Sequence, residues 1–227
     1  MAASFRQTLA RTLRFLLKRR RIDDPIDRIR FLLDTHPRSK TMQRVACVSY
    51  QPLPWVNLNE AERDEGTLSR WQTIRPWLER TSVRSALDVG CERGFFTLSL
   101  ASAGIPAIGV ENDPPAYRTA LYAIRKAEIE NAGVLMITIT PANIGVLPAA
   151  DTVLFLSLWH HFVRQHGLEA ATAMSSALWE RTRKVLFFDT GELEMPESFG
   201  LPSMTPSPPG TRDTIEKNMP IAKPAIT

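Results

Sequence analysis

Only two cysteines, Cys47 and Cys91, occur in the 227 residues, so no disulfide framework can staple this fold, and reduced thiols are the default. No apolar run approaches the ~20 residues that a membrane-crossing helix needs, and the N-terminus lacks an apolar core followed by a small-residue cleavage site. A cytoplasmic protein is expected. Oxygen ligands for a hard cation do not cluster, and His160 and His161 with the later His166 suit a softer metal at best; no metal is expected. Acids are missing from one stretch entirely. Residues 1–21 carry seven Lys or Arg and no Asp or Glu, which leaves 21 basic residues against 24 acidic ones elsewhere. The net charge of +4 therefore resides in an N-terminal arm. Phe5, Leu9, Leu13 and Leu16 recur there at helical spacing, with Arg11, Arg14 and Lys18 on another face. Such a basic amphipathic helix either packs on its own domain or makes a peripheral contact with an anionic membrane surface. RNA is the weaker partner, because the arm lacks the interleaved aromatics that stack on single-stranded bases.

Residues 22–83 read as an extension that packs on the core. Asp23, Asp24 and Pro25 start a helix through Leu33, residues 35–40 form a loop, and residues 45–50 form a short strand. The proline-punctuated stretch 51–60 is irregular, and Leu68, Trp71, Ile74 and Leu78 predict a helix over 67–78. No internal repeat is present. Residues 84–200 then alternate regularly. Strands are expected at 85–89, 107–111, 134–139, 152–158 and 184–189, and helices at 95–103, 114–130 and 168–181. Short Val, Ile, Leu and Phe runs between amphipathic helices predict an α/β, doubly wound, mostly parallel sheet buried on both faces.

The site follows from that architecture, since open α/β sheets bind ligands outside the carboxyl ends of their strands. The stretch SALDVGCERGFF at 85–96 and the stretch AIGVEND at 107–113 each end a strand in an acid, Asp88 and Glu111. Gly90 lets backbone approach a ligand, Gly94 lets the next helix come close, and that helix N-terminus offers amide donors. The two oxygens of Glu111 suit a vicinal diol, which favours an adenosyl ligand without a 2′-phosphate. GCERG is not the GxGxxG of a dinucleotide site, and Asp88 and Glu92 would repel a pyrophosphate. They suit a sulfonium and an ammonium instead, so S-adenosylmethionine is the expected cofactor and a nicotinamide dehydrogenase is disfavoured.

DVGCERGFF and GVEND resemble the first two motifs of the class I S-adenosylmethionine-dependent methyltransferases. LFLSLWHH, 154–161, falls at the position of that superfamily's fourth-strand motif, and GFFTLSLA is similar to FkbM-like sugar and natural-product O-methyltransferases. The resemblance spans 84–191 and implies a Rossmann-like core. By it, Asp88, Gly90 and Gly94, with Cys91 and Glu92 in the same turn, hold the methionine end. Glu111, beside Asn112, binds the ribose, and the turn of Ser157, Leu158 and His160 lines the reacting end. Glu92 departs from the pattern, standing where the family has its middle glycine, and it either narrows the loop or places a carboxylate near the ligand ammonium.

Other assignments rest on residue chemistry. His160 or His161 is placed to take a proton from an acceptor hydroxyl, because imidazole titrates near neutrality; the alternative is a turn cap and a solvated ring. Asn143 presents its amide either to adenine or to its own turn. Cys91 reads as packing rather than as a nucleophile. Asp189, Glu192 and Glu194 shape either an acceptor pocket or a solvated loop. The function expected is methyl transfer to a hydroxyl of a small molecule or glycan. The alternatives are an RNA- or protein-directed methyltransferase and a truncated cofactor-binding protein with little activity. Residues 201–227 hold six prolines and no alternating pattern, so the C-terminal β-hairpin of the superfamily is expected to be missing and the tail unstructured. The strand VLFFD would then be an exposed edge. It would be covered by residues 45–50 or by a second subunit in a homo-oligomer, or else the chain is a truncated relative.

Overall fold

The computed structural model describes His36 and residues 51–57, 64–190 and 221–222. The arm at 1–21, the expected helix and strand at 22–50, Glu192, Glu194 and most of the tail lie outside the described residues. No described helix is long and apolar enough to cross a membrane.

A 3-10 turn, Pro54–Val56, and helix α1, Asp64–Arg80, lead into the repeating unit. There follow β1 Ala86–Val89, α2 Phe95–Ser102, β2 Ala107–Glu111, α3 Pro114–Lys126, β3 Ala132–Met136 and a 3-10 turn at Ile144–Val146. The chain continues through β4 Ala150–Leu156, α4 Trp159–His166, α5 Leu168–Arg181, β5 Thr182–Asp189 and β6 Ile221–Ala222. The sheet runs β3-β2-β1-β4-β5-β6. Its first five strands are parallel and β6 is antiparallel to β5. Strand order reverses between β1 and β4, which opens a crevice at their carboxyl ends.

Each central strand is apolar on both sides because helices cover both faces. Leu87, Val89, Val153 and Phe155 pack with Trp159, Phe162, Met174 and Leu178 from α4 and α5. On the other face, Leu154, Val185 and Phe187 meet Ile74 and Leu78 of α1 and Phe96 and Leu100 of α2. Local signals set the boundaries. Asp113 caps α3, its Oδ2 accepting from the Ala116 amide at 2.9 Å, with proline in the first turn and Arg125 and Lys126 in the last. The irregular stretch before α1 is anchored: Leu53 is fully buried among α2 and α3 residues, and Trp55 Nε1 donates to Ser102 Oγ at 2.9 Å.

Three expectations are corrected. The third strand begins and ends earlier than 134–139, because its pairing with β2 runs from Ala132 to Met136. A whole helix, α4, stands where a turn was expected around His160. The β5 edge is not left open along its whole length: the chain's own tail pairs with it, Val185 with Ala222 and Leu186 with Ile221. Two residues next to Pro220 are too few to show an alternating pattern, and an edge strand tolerates a neighbouring proline.

Candidate active site

The carboxyl ends of β1, β2 and β4 open onto a cavity of about 490 Å³. Asp88, Gly90, Glu92, Val110, Glu111, Asn112, Ser157, Leu158 and His161 all line it, so most of the residues singled out from sequence converge on one place.

Asp88, next to last in β1, is almost completely buried, and its Oδ2 accepts from Thr97 Oγ1 at 2.7 Å. The first turn of α2 thereby anchors it. The chain then turns through Gly90, at φ 74°. A Cβ there would sit 2.9 Å from Leu158 Cδ2, the flexible end of that side chain, so it is the backbone conformation that calls for glycine. The amides of Gly90 and Cys91 both donate to Val110 O, at 2.9 and 3.0 Å. This turn therefore presents no free amide pair there to a phosphate, and the anion cradle of dinucleotide sites is absent from it. Glu92 follows in the left-handed region at φ 50°. Its Oε2 accepts from the Arg93 amide at 2.6 Å and its Oε1 from Arg93 Nε at 3.0 Å.

Glu111 ends β2 as a buried carboxylate held by backbone. Oε1 accepts from the amides of Asn112 and Asp113, each at 2.8 Å, and Oε2 from Glu92 N at 2.8 Å. Three of a carboxylate's roughly four acceptor positions are thus filled. Of a vicinal diol, one hydroxyl can be met by the free position of Oε2, and the exposed Asn112 lies beside it.

These carboxylates share one electrostatic problem. Burial pushes Asp88 up to about 7, against the lowering effect of Thr97, and the nearby Glu111 raises it further. Burial likewise pushes Glu92 to about 7, with Arg93 opposing and Glu111 reinforcing the rise. A cavity that crowds three carboxylates into a low dielectric is unfavourable when empty and is relieved by a cation.

Across the cavity, β4 ends at Leu156 and Ser157 turns at φ 51°. α4 then presents His161, exposed and lining the cavity, its imidazole pushed below the usual range by burial and then by His160 and Arg164. Arg70 of α1 reaches in from the opposite side, within 2.5 Å of Asp189 Oδ2. Ile137, Ile139 and Phe162 supply apolar wall.

Four of the expected site residues, His160, Asn143, Cys91 and Gly94, are not among those lining the cavity. His160 is buried, does not line the cavity, and commits Nδ1 to Thr190 O at 3.0 Å. A carbonyl only accepts, so that nitrogen carries the proton and the residue is a structural donor. Asn143 makes turn chemistry: Oδ1 accepts from Thr140 N at 2.7 Å and Nδ2 donates to Thr138 O at 2.8 Å, away from the cavity. Cys91 is buried against β2, close enough that a Cβ on Gly109 would lie 2.7 Å from its Sγ, and burial first, then Asp88 and Glu111, push its thiol well up. Gly94 faces α3, where an added Cβ would meet Ala120 Cβ at 3.1 Å, so it serves helix packing and not ligand contact. Sequence reasoning missed Gln51, Arg70, Ile137 and Gln165 as cavity residues, whereas Ile139, expected at the end of the third strand, does line it. Arg70 and Gln51 lie in the extension, where no motif marks a ligand contact.

The donor set fits S-adenosylmethionine on structural grounds. The carboxyls of Asp88, Glu92 and Glu111 suit a cationic ligand, Gly90 leaves room for close approach, and the rest of the wall mixes apolar Ile137, Ile139 and Phe162 with polar Gln51, Arg70 and Gln165.

No family model matches the chain. The O-antigen chain terminator bifunctional methyltransferase/kinase WbdD of Escherichia coli is 29% identical over 104 residues, covering 45% of this chain and 14% of that protein. Among solved structures, one of the bifunctional kinase-methyltransferase WbdD matches with a TM-score of 0.55 at 21% identity, over 71% of this chain and 38% of that one. A second WbdD structure gives 0.56 at 23% identity, over 74% and 34%. The chain thus spans well under half the length of the relatives it matches. The fold is the Rossmann-like α/β one that the motif resemblance implied, and the WbdD structures share it.

Proposed function

We propose that this protein is an S-adenosylmethionine-dependent methyltransferase acting on a hydroxyl of a glycan or small molecule. The observation that carries the reading is the convergence of Asp88, Glu92 and Glu111 on one cavity beside a glycine turn whose amides are already spent on Val110 O. Such a site selects a nucleoside with a cationic tail and disfavours one with a pyrophosphate. In this reading Asp88 and Glu92 neutralise the methionyl ammonium and the sulfonium. Glu111 and Asn112 hold the ribose, and Ile137, Ile139 and Phe162 enclose the adenine.

The cofactor supplies an activated methyl group, so the protein's share is in-line placement and exclusion of water, a contribution of up to ~7–11 kcal/mol. His161 stands on the acceptor side of the cavity. Kept neutral at pH 7 by its lowered pKa, it accepts the hydroxyl proton, an effect of about 10²–10⁴ in rate. The name of the Escherichia coli relative, an O-antigen chain terminator, favours a glycan acceptor. Calorimetry with S-adenosylmethionine and, as control, NAD tests the cofactor assignment, and saturation by NAD alone would defeat it. Transfer of labelled methyl into a polysaccharide fraction of a cell extract tests the acceptor, and label confined to RNA or protein would redirect it.

A further inference from the structure

We propose that Arg70 is a positioning residue that holds the β4–α4 turn in its binding-competent form through a three-residue ring with Ser157 and Asp189. The inference rests on the cavity being the adenosylmethionine site. Arg70 Nη2 donates to Ser157 Oγ at 3.0 Å and meets Asp189 Oδ2 at 2.5 Å, and Ser157 Oγ donates to the same Oδ2 at 3.2 Å. The Ser157 amide also donates to Asp189 O at 2.9 Å. Three elements, α1, β4 and β5, are thus tied at one point of the cavity rim. The side chains of Arg70 and Asp189 are 24% and 13% exposed, sheltered enough for the charge-assisted contacts to hold.

Ser157 explains what the ring is for. Asn57, Ser82 and Glu128 also have positive φ, but they follow helix ends, where one left-handed residue is an ordinary stop. Ser157 precedes a helix, and a left-handed residue with a Cβ there persists only if its surroundings hold it. Its conformation aims what comes next. Leu158 lies over Gly90 and begins α4, and one turn later His161 enters the cavity wall. Released to negative φ, Ser157 would swing both away from the cofactor side.

The ring makes a specific demand of glycine, which takes positive φ without support. Arg70→Gln, Ser157→Gly and the double variant are compared with the full chain by calorimetry with S-adenosylhomocysteine and by amide exchange in the absence of ligand. Arg70→Gln should weaken binding about tenfold, the order expected for a lost charge-assisted contact, and speed exchange of the Ser157 and Leu158 amides. Adding Ser157→Gly should return affinity to within about threefold of the parent. If the double variant stays as weak as Arg70→Gln, Arg70 acts by touching the ligand or by general stability and the positioning role is overturned. Parent-like binding and exchange in Arg70→Gln overturn it as well. Should that variant fail to fold, Arg70→Lys, which keeps a cation at Asp189 without the planar fork, must still speed Ser157 exchange. If the parent itself takes up no S-adenosylhomocysteine, the cofactor reading fails while the exchange comparison still decides the role of the ring.

Discussion

The two carboxyls near neutrality make a sharp claim about cofactor uptake. In the empty protein Asp88 and Glu92 both titrate at about 7, so at pH 6 each is mostly protonated. A ligand that carries positive charge needs them ionised and must displace those protons. If both are ionised in the complex, linkage makes the apparent affinity rise about eightfold per carboxyl between pH 6 and 7.5, and on the order of 60–70-fold for the pair. Stability of the ligand-free protein moves in the opposite direction. The folded pKa of Asp88 lies above its usual 3.8, so the stabilisation from its protonated form is complete below about pH 4 and lost as pH rises to about 7, an effect of up to about 4 kcal/mol. Thermal unfolding without ligand should therefore show a falling melting temperature from pH 5 to 7.5, and saturating S-adenosylmethionine should restore it most at the upper end. Glu92→Gln should remove roughly half of the pH slope in the binding titration. An affinity that stays flat from pH 6 to 7.5, or that improves on acidification, would refute the electrostatic account of this crevice.

Other outcomes follow from single contacts. Gly90→Ala, facing both φ 74° and a 2.9 Å approach to Leu158, should cost about 1–3 kcal/mol in denaturant melts and abolish cofactor binding in calorimetry. Glu111→Ala frees three backbone amides at once and should lose both binding and stability, whereas Asn143→Ala should cost about 1 kcal/mol and leave affinity unchanged. His161→Gln should lower methyl transfer by about 10²–10⁴ without weakening S-adenosylhomocysteine, while His160→Gln should lower the melting temperature first. Equal rate losses with unchanged stability in both histidine variants would reverse the assignment.

The sheet was readable because its signal is redundant. Each of the five parallel strands is an apolar run, the central ones buried on two faces while Leu135 and Met136 of the edge strand β3 stay exposed, and errors of two residues leave the order intact. Helix α4 was missed for a physical reason. WHHFVRQH has aromatic and β-branched residues with modest helix propensity, and its N-cap, Leu158, offers no capping side chain. Trp159, Phe162 and Val163 nevertheless recur at i, i+3 and i+4, and this was the available cue, since all three are buried. The tail strand β6 carried no such cue. Two residues contribute pairing to an edge and nothing periodic to the sequence.

The site was legible in proportion to how locally its residues are encoded. Asp88, Gly90, Glu92 and Glu111 lie within 24 residues of one another, on consecutive strand ends whose position relative to the crevice is fixed by the architecture. A strand ending in an acid can therefore be assigned a direction before any coordinates exist. Arg70 and Gln51 reach the same cavity from the extension, and their partners are distant in sequence: Ser157 lies 87 residues beyond Arg70. No spacing rule links them, because their meeting depends on how α1 leans across the strand ends. The two histidines show the finer limit. Adjacent residues on a helix differ by ~100° in direction, so one of the pair faces the cavity and the other must face inward. Which one does so is set by the phase of α4, and that phase is fixed by Phe162 and Val163 packing on the sheet. Burial of those two side chains places His160 toward Thr190 O and leaves His161 at the rim, so core packing rather than any active-site motif decides which histidine lines the cavity.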